Sequence, residues 1–152
     1  MSRIDGRLRE LGITVPAMPA PIANYVPAKR VGNLVYTAGQ VSASQEREYK
    51  GKVGADFTVE QGREATRACA VNCLAAMLTV LDSLDRVKQI VHVGGFVNSA
   101  EGFSGQAAVM NGASDLFVQV FGPAGTHTRT AVGVAGLPLD FAASVYVVAE
   151  VG

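Results

Sequence analysis

Apolar residues recur along the chain at two spacings, and the changes between them mark the elements. Gly62, Ala65, Cys69, Cys73, Ala76 and Val80 return at steps of three and four, one stripe of an α-helix. Thr58 precedes this run and Gln61 stands three places after it, the pattern of a capping box, so a helix is predicted over 58–81. Its stripe is mostly small residues, which lets it lie close to a sheet. A second stripe, Val109, Ala113, Leu116 and Val120 with Phe117 alongside, predicts a helix over 104–121 that Gly122 and Pro123 end. A short helix is predicted over 4–11, stopped by Gly12.

The strands carry the other spacing. In the last segment, 143–151, Val145, Val147, Ala149 and Val151 point one way, and Ser144, Tyr146, Val148 and Glu150 the other. The β-branched run 87–97 predicts a strand interrupted at Gly94 and Gly95, and 129–135 predicts another before the break at Leu137 and Pro138. Gly32 and Asn33 form a turn signal ahead of the strand LVYTAG. Pro16, Pro19, Pro21 and Pro27 exclude a helix there and favour an extended segment over the surface or along a sheet edge. Residues 42–58 are expected to be a loop with a short strand over 49–53. The order is strands, helix, strand, helix, two strands. It predicts an α+β fold in which a mixed sheet carries both long helices on one face.

Composition narrows the class. The 152 residues suit one domain over 1–152, without repeat or linker. Lys plus Arg and Asp plus Glu are 13 each, so no cationic field is available to grip nucleic acid and no basic run to hold an anionic membrane. No uninterrupted apolar run is long enough to span a bilayer, and the charged first twelve residues do not resemble a secretory signal. A cytoplasmic location is therefore expected. Charged residues are 17% and hydrophobic ones 49%, an apolar balance that suggests surface buried between subunits. Cys69 and Cys73, four apart on the first helical stripe, are expected to be buried free thiols.

Candidate chemistry is sparse. No GxSxG, HExxH or phosphate-loop motif occurs, and two His and two Cys without ligand spacing give no metal site. No cofactor is expected. His92 in an apolar strand is expected to be packed or oligomer-facing, and His127 in THTR to be a solvated loop residue. Arg129 enters an apolar strand between two threonines. It is either a surface residue or a bidentate clamp for a small carboxylate, whose two oxygens match the guanidinium fork.

The segments NYVPA, GNLVYTAGQ, GFVNS, NGASDLF and RTAVGVAGLP together resemble the RidA/YjgF family of enamine/imine deaminases, whose members are also described as endoribonuclease L-PSP or translation inhibitors. The likeness runs from about Pro19 to Val151, with about 1–18 as an N-terminal extension. It implies a chorismate-mutase-like α+β fold, a homotrimer, and a cleft between neighbouring subunits that takes a small carboxylate or imine. Carried over residue by residue, it implies that Arg129 binds the substrate carboxylate and Tyr25 lines the cleft. Gly39 and Ala131 would offer backbone atoms near the ligand, and Asn111 and Phe96 would lie close to it. The glutamate that deaminating members carry fifteen residues after the arginine is here Ser144. A serine holds water but is no base near neutral pH. The function implied is hydrolysis of 2-aminoacrylate-type imines to 2-keto acids and ammonia. The alternative is a trimer that binds small carboxylates without turnover; a ribonuclease fits the balanced charge least well.

Overall fold

The computed structural model describes residues 2–19 and 22–152, so Pro21 of the expected extended segment lies outside the described residues. Six strands, β1 (Ala28–Val31), β2 (Leu34–Thr37), β3 (Gln40–Val41), β4 (Val87–Asn98), β5 (Thr128–Val134) and β6 (Ala143–Val151), form one sheet. Its order is β1-β2-β6-β4-β5, with β3 also on β6. Only β4 and β5 run parallel. The described residues also form three α-helices, α1 (Arg3–Glu10), α2 (Val59–Met77) and α3 (Gln106–Phe121), and three short 3-10 turns. The mixed sheet with α2 and α3 on one face is the predicted architecture.

Capping sets the helix starts. Thr58 and Gln61 form the predicted reciprocal box at α2. Ser2 caps α1 one residue earlier than expected, and the Asp85 carboxylate accepts the N–H groups of Arg3 and Ile4. The Ile4 N–H, more than that of Arg3, holds the Asp85 carboxyl below the usual carboxylate range. At its other end α2 stops at Met77 rather than 81. The N–H groups of Thr79 and Val80 bond three residues back, and the Thr79 hydroxyl caps the Ala76 carbonyl at 2.6 Å.

Both helical stripes are buried as predicted, except for Val80, which lies past the end of α2 and is half-buried. Ala65, Cys69, Cys73 and Ala76 of α2, and Val109, Ala113, Leu116 and Phe117 of α3, have no exposed surface. Small residues bring the two helices together: a Cβ on Gly112 would lie 2.0 Å from the Arg63 carbonyl oxygen. The Thr66 hydroxyl reaches across to the Val109 carbonyl at 2.8 Å, so the contact is also satisfied by hydrogen bonding. In β6 the alternation is as predicted, with Val145, Val147, Ala149 and Val151 buried beneath the helices.

Two expectations fail. The strand β4 is not interrupted at Gly94 and Gly95; it pairs through both, and its bulges fall earlier, near Gln89 and His92. The glycines are there for their neighbours. A Cβ on Gly94 would meet the Tyr146 ring at 2.2 Å, and one on Gly95 the Met110 sulfur at 2.1 Å. The expected short strand over 49–53 reduces to isolated bridges, Lys50 with Phe141 and Val53 with Ser99.

The first test concerns the thiols. Burial pushes Cys73 up to about 12 and Cys69 well above its ordinary value, while an unfolded thiol titrates near roughly 8.5. The folded chain keeps protons that the unfolded chain loses, so stability is full below that value and falls as pH rises toward 12. Native protein should label with a thiol reagent only through global opening, and denaturant titrations should show the alkaline loss. Labelling faster than unfolding would contradict the burial argument.

Candidate functional site

The strand β5 is the edge of the sheet, and its register decides where Arg129 points. Arg129 pairs with Val93 and Ala131 with Gly95, positions on the face that the helices cover. Thr128, Thr130 and Val132 therefore turn to the uncovered face. Arg129 is half-buried against α3, where Ala107, Asn111 and Ser114 follow one another at helical spacing. Its Nη1 donates to Asn111 Oδ1 at 2.8 Å and Ser114 Oγ at 3.2 Å, and Nη2 to the Ala107 carbonyl at 3.3 Å. Nε has no partner among the described residues.

This geometry leaves a particular edge open. Nη1 has two acceptors on α3 and Nη2 one, so Nε–H is without a partner among the described residues and Nη2 has a hydrogen to spare; with the Nη2 contact on the Nη1 side, Nε–H and that hydrogen form a parallel pair. That pair matches two carboxylate oxygens. All three partners are neutral, and no carboxylate within salt-bridge distance offsets the charge among the described residues. Asn111 thus lies beside Arg129, and Ala131 is two residues further along the same strand face, half-buried against the core.

The other sequence-derived residues lie apart. Phe96 and Ser144 are opposite each other in β4 and β6, on the uncovered face, with the Phe96 ring 6.2 Å from that of Tyr146. Gly39 adjoins Ser144: a Cβ there would sit 2.8 Å from Ser144 Oγ. Tyr25 is 57% exposed in the segment before β1. One chain therefore holds two candidate half-sites on opposite faces of its sheet. Arg129, Asn111 and Ala131 form one; Gly39, Phe96 and Ser144 form the other. Glu150, on the Ser144 face, is turned to Asn33 and Gln89.

Two residues had no functional signal in the sequence. His127 is not the solvated histidine expected. It is half-buried, with its ring edge-on to Phe117, Nδ1 2.6 Å from the Gly125 carbonyl and Nε2 2.9 Å from Ser114 Oγ. Ser114 is thereby joined to both His127 and Arg129. His92 lies on the uncovered face, bonded through Nδ1 to Thr128 Oγ1 at 2.8 Å. A surface cavity of about 440 Å³ between the 11–16 segment, the 43–49 loop and α2 contains none of these residues. Among the described residues no helix is long and apolar enough to cross a membrane.

Comparison with known proteins places this geometry in a family. Residues 5–151 match the family described as "YjgF/chorismate_mutase-like, putative endoribonuclease". The chain is 42% identical over 150 residues to protein TCP17 of Trypanosoma cruzi, covering 97% of this chain and 94% of that protein. A crystal structure of an Agrobacterium tumefaciens protein of unknown function matches with a TM-score of 0.90 at 39% identity, covering 98% of this chain and 93% of that one. A Shewanella oneidensis protein that shares the endoribonuclease designation matches with a TM-score of 0.93 at 33% identity, over 99% of this chain and all of that one. The chain belongs to the YjgF/RidA family and has its chorismate-mutase-like fold.

Proposed function

We propose that the protein hydrolyses small 2-imino acids of the 2-aminoacrylate type to 2-keto acids and ammonia, with Arg129 as the carboxylate clamp. The observation that carries this reading is the free Nε/Nη2 edge of a half-buried guanidinium whose other edge is tied to neutral groups of α3. Such a cation favours an anion, and its fork selects a planar one. The enamine tautomerises to the imine, and water adds across the C=N bond, its oxygen to C2 and one proton to nitrogen, to give a carbinolamine. The hydroxyl proton then passes to nitrogen as the C–N bond breaks and the C=O bond forms, so ammonia leaves with both protons of the water. The imine carbon is already electrophilic, so holding carboxylate and water in register lowers the barrier without a strong base.

The half-sites favour assembly as a homotrimer with the cleft between subunits. The uncovered sheet face carries an apolar patch among polar residues: Tyr36 pairs with Val148, Phe96 with Val132, and Tyr146 lies between them on Gly94. Tyr36 is 47% and Val132 39% exposed, a cost that a second copy would remove. A neighbouring chain would also bring its Gly39 and Ser144 half-site toward the Arg129 edge. Light scattering at micromolar concentration should give about three times 15.8 kDa; a monomer would remove the support for a shared cleft.

Ser144 keeps a second reading in play. Without a carboxylate at this position, the same clefts would bind 2-keto acids without turnover. A phosphodiester substrate is less well supported, because His92 and His127 belong to separate hydrogen-bond networks and form no acid–base pair within the chain.

Two experiments test the reading. Ammonia and 2-keto acid should form from enzymatically generated 2-aminoacrylate faster than in buffer, and calorimetry should detect 2-oxobutanoate binding. Arg129→Lys should weaken that binding by about 1.5–3 kcal/mol, or roughly ten- to a hundredfold, since an ammonium cannot reproduce two parallel donors. Equal affinity in the lysine variant would remove the clamp. Binding without turnover in the parent would select the second reading.

The Ser144→Glu variant asks what limits the rate. Turnover should rise if water activation is limiting, while the Kd for 2-oxobutanoate stays within about twofold of the parent. An unchanged rate in a folded variant would show that a carboxylate at this position is not what the reaction lacks.

A further inference from the structure

The orientation of Arg129 is set by a chain of polar groups whose direction follows from one carbonyl. His127 Nδ1 lies 2.6 Å from the Gly125 carbonyl oxygen, which can only accept, so Nδ1 carries the proton. In the neutral ring Nε2 is then an acceptor, and the Ser114 hydroxyl 2.9 Å away must donate to it. Its lone pairs are left toward Arg129 Nη1, which donates to it at 3.2 Å. The order is Arg129 to Ser114 to His127 to the Gly125 carbonyl, with each donor matched to an acceptor.

We propose that Ser114 and His127 are positioning residues that fix the plane of the Arg129 guanidinium, so that its Nε/Nη2 edge is presented before ligand arrives. This rests on the reading of Arg129 as a carboxylate clamp. Asn111 alone anchors one nitrogen and leaves the group free to tilt about that contact. Ser114 supplies a second anchor on the same nitrogen, and the Ala107 carbonyl a third on Nη2. Left to itself, a helical serine turns its proton to a carbonyl one turn back. The acceptor nitrogen of His127 instead draws that proton away from the helix.

The ring is itself held. Phe117 meets it edge-on at 6.1 Å, and the turn Gly122–Gly125 is pressed against α3 so tightly that a Cβ on Gly125 would lie 2.2 Å from the Phe117 carbonyl oxygen. The gap between the Gly125 carbonyl and Ser114 is thus set by backbone packing, and the imidazole spans it. Ordering the guanidinium in advance removes that cost from the binding step.

Replacing His127 with its two amide analogues separates positioning from loop anchoring. A glutamine places its amide at the depth of Nε2 and can accept from Ser114; an asparagine places it at the depth of Nδ1 and can only serve Gly125. With 2-oxobutanoate in calorimetry, Ser114→Ala and His127→Asn should weaken binding about five- to tenfold, and His127→Gln should stay within about twofold of the parent. If His127→Asn binds like the parent and His127→Gln does not, the ring merely anchors the turn and the proposal is overturned. A second readout needs no ligand: NMR of the Arg129 guanidinium. Separate Nη signals are expected in the parent and His127→Gln, and averaged signals in Ser114→Ala and His127→Asn. Averaging in every protein, or in none, overturns the relay. Separate signals in a parent that does not bind 2-oxobutanoate would instead overturn the clamp and leave the relay standing. Circular dichroism confirms that each variant is folded.

Discussion

The close contact of α2 and α3 is the constraint on which the rest depends. The backbone of α3 approaches α2 at Gly112, against the Arg63 carbonyl, where no side chain has room. That approach fixes the rotation of α3 about its own axis. Met110 and Phe117 then fall into the core, with Met110 filling the space that Gly95 leaves in β4. Burying each such side chain contributes about 1.5–3 kcal/mol, so the rotation is strongly defended. The residues on the remaining side, Ala107, Asn111 and Ser114, are left beside the edge strand β5, where they meet Arg129. The polar surroundings of Arg129 are in this sense a consequence of apolar packing.

The sheet contributes the other half of the logic. Side chains alternate along β5, so a shift of one residue in its pairing with β4 would turn Arg129 to the uncovered face and bring Thr130 under α3. The same alternation puts Ser144 and Phe96 on the uncovered face. In the function proposed, the Arg129 group and the Ser144 group, on opposite faces of the sheet, come together only where copies of the chain pack face to edge. The apolar residues around Tyr146 and the polar residues around Ser144 share that face, which links assembly to completion of the site in the function proposed.

Periodicity made the architecture legible. Both helical stripes, the alternation in β6 and the capping box at Thr58 follow from local spacing, and each is a property of one segment. The misreadings share a cause. Gly94 and Gly95 look like a break because glycine weakens strands, but their role is to admit Tyr146 and Met110 from distant segments. His127 is the loop residue expected, but it reads as solvated because its partner, Ser114, is thirteen positions away on a helix whose rotation no local pattern reveals. The identity of Arg129 as a candidate was visible in the sequence; the direction of its free edge was not, because that depends on which nitrogens α3 occupies.

The neutrality of the Arg129 surroundings carries the argument furthest. Ion-pairing the guanidinium to an acidic neighbour would hold it in place equally well, but a carboxylate ligand would then compete with that partner for the same charge. Asn111, Ser114 and the Ala107 carbonyl hold the group through dipoles instead, leaving its full charge to the open edge. In the function proposed, Ser144 divides the work with this arginine: a serine holds a water by hydrogen bonds but cannot take its proton near neutral pH, so the residue at 144 bears on the hydrolytic step while affinity for the anion rests on the Arg129 edge.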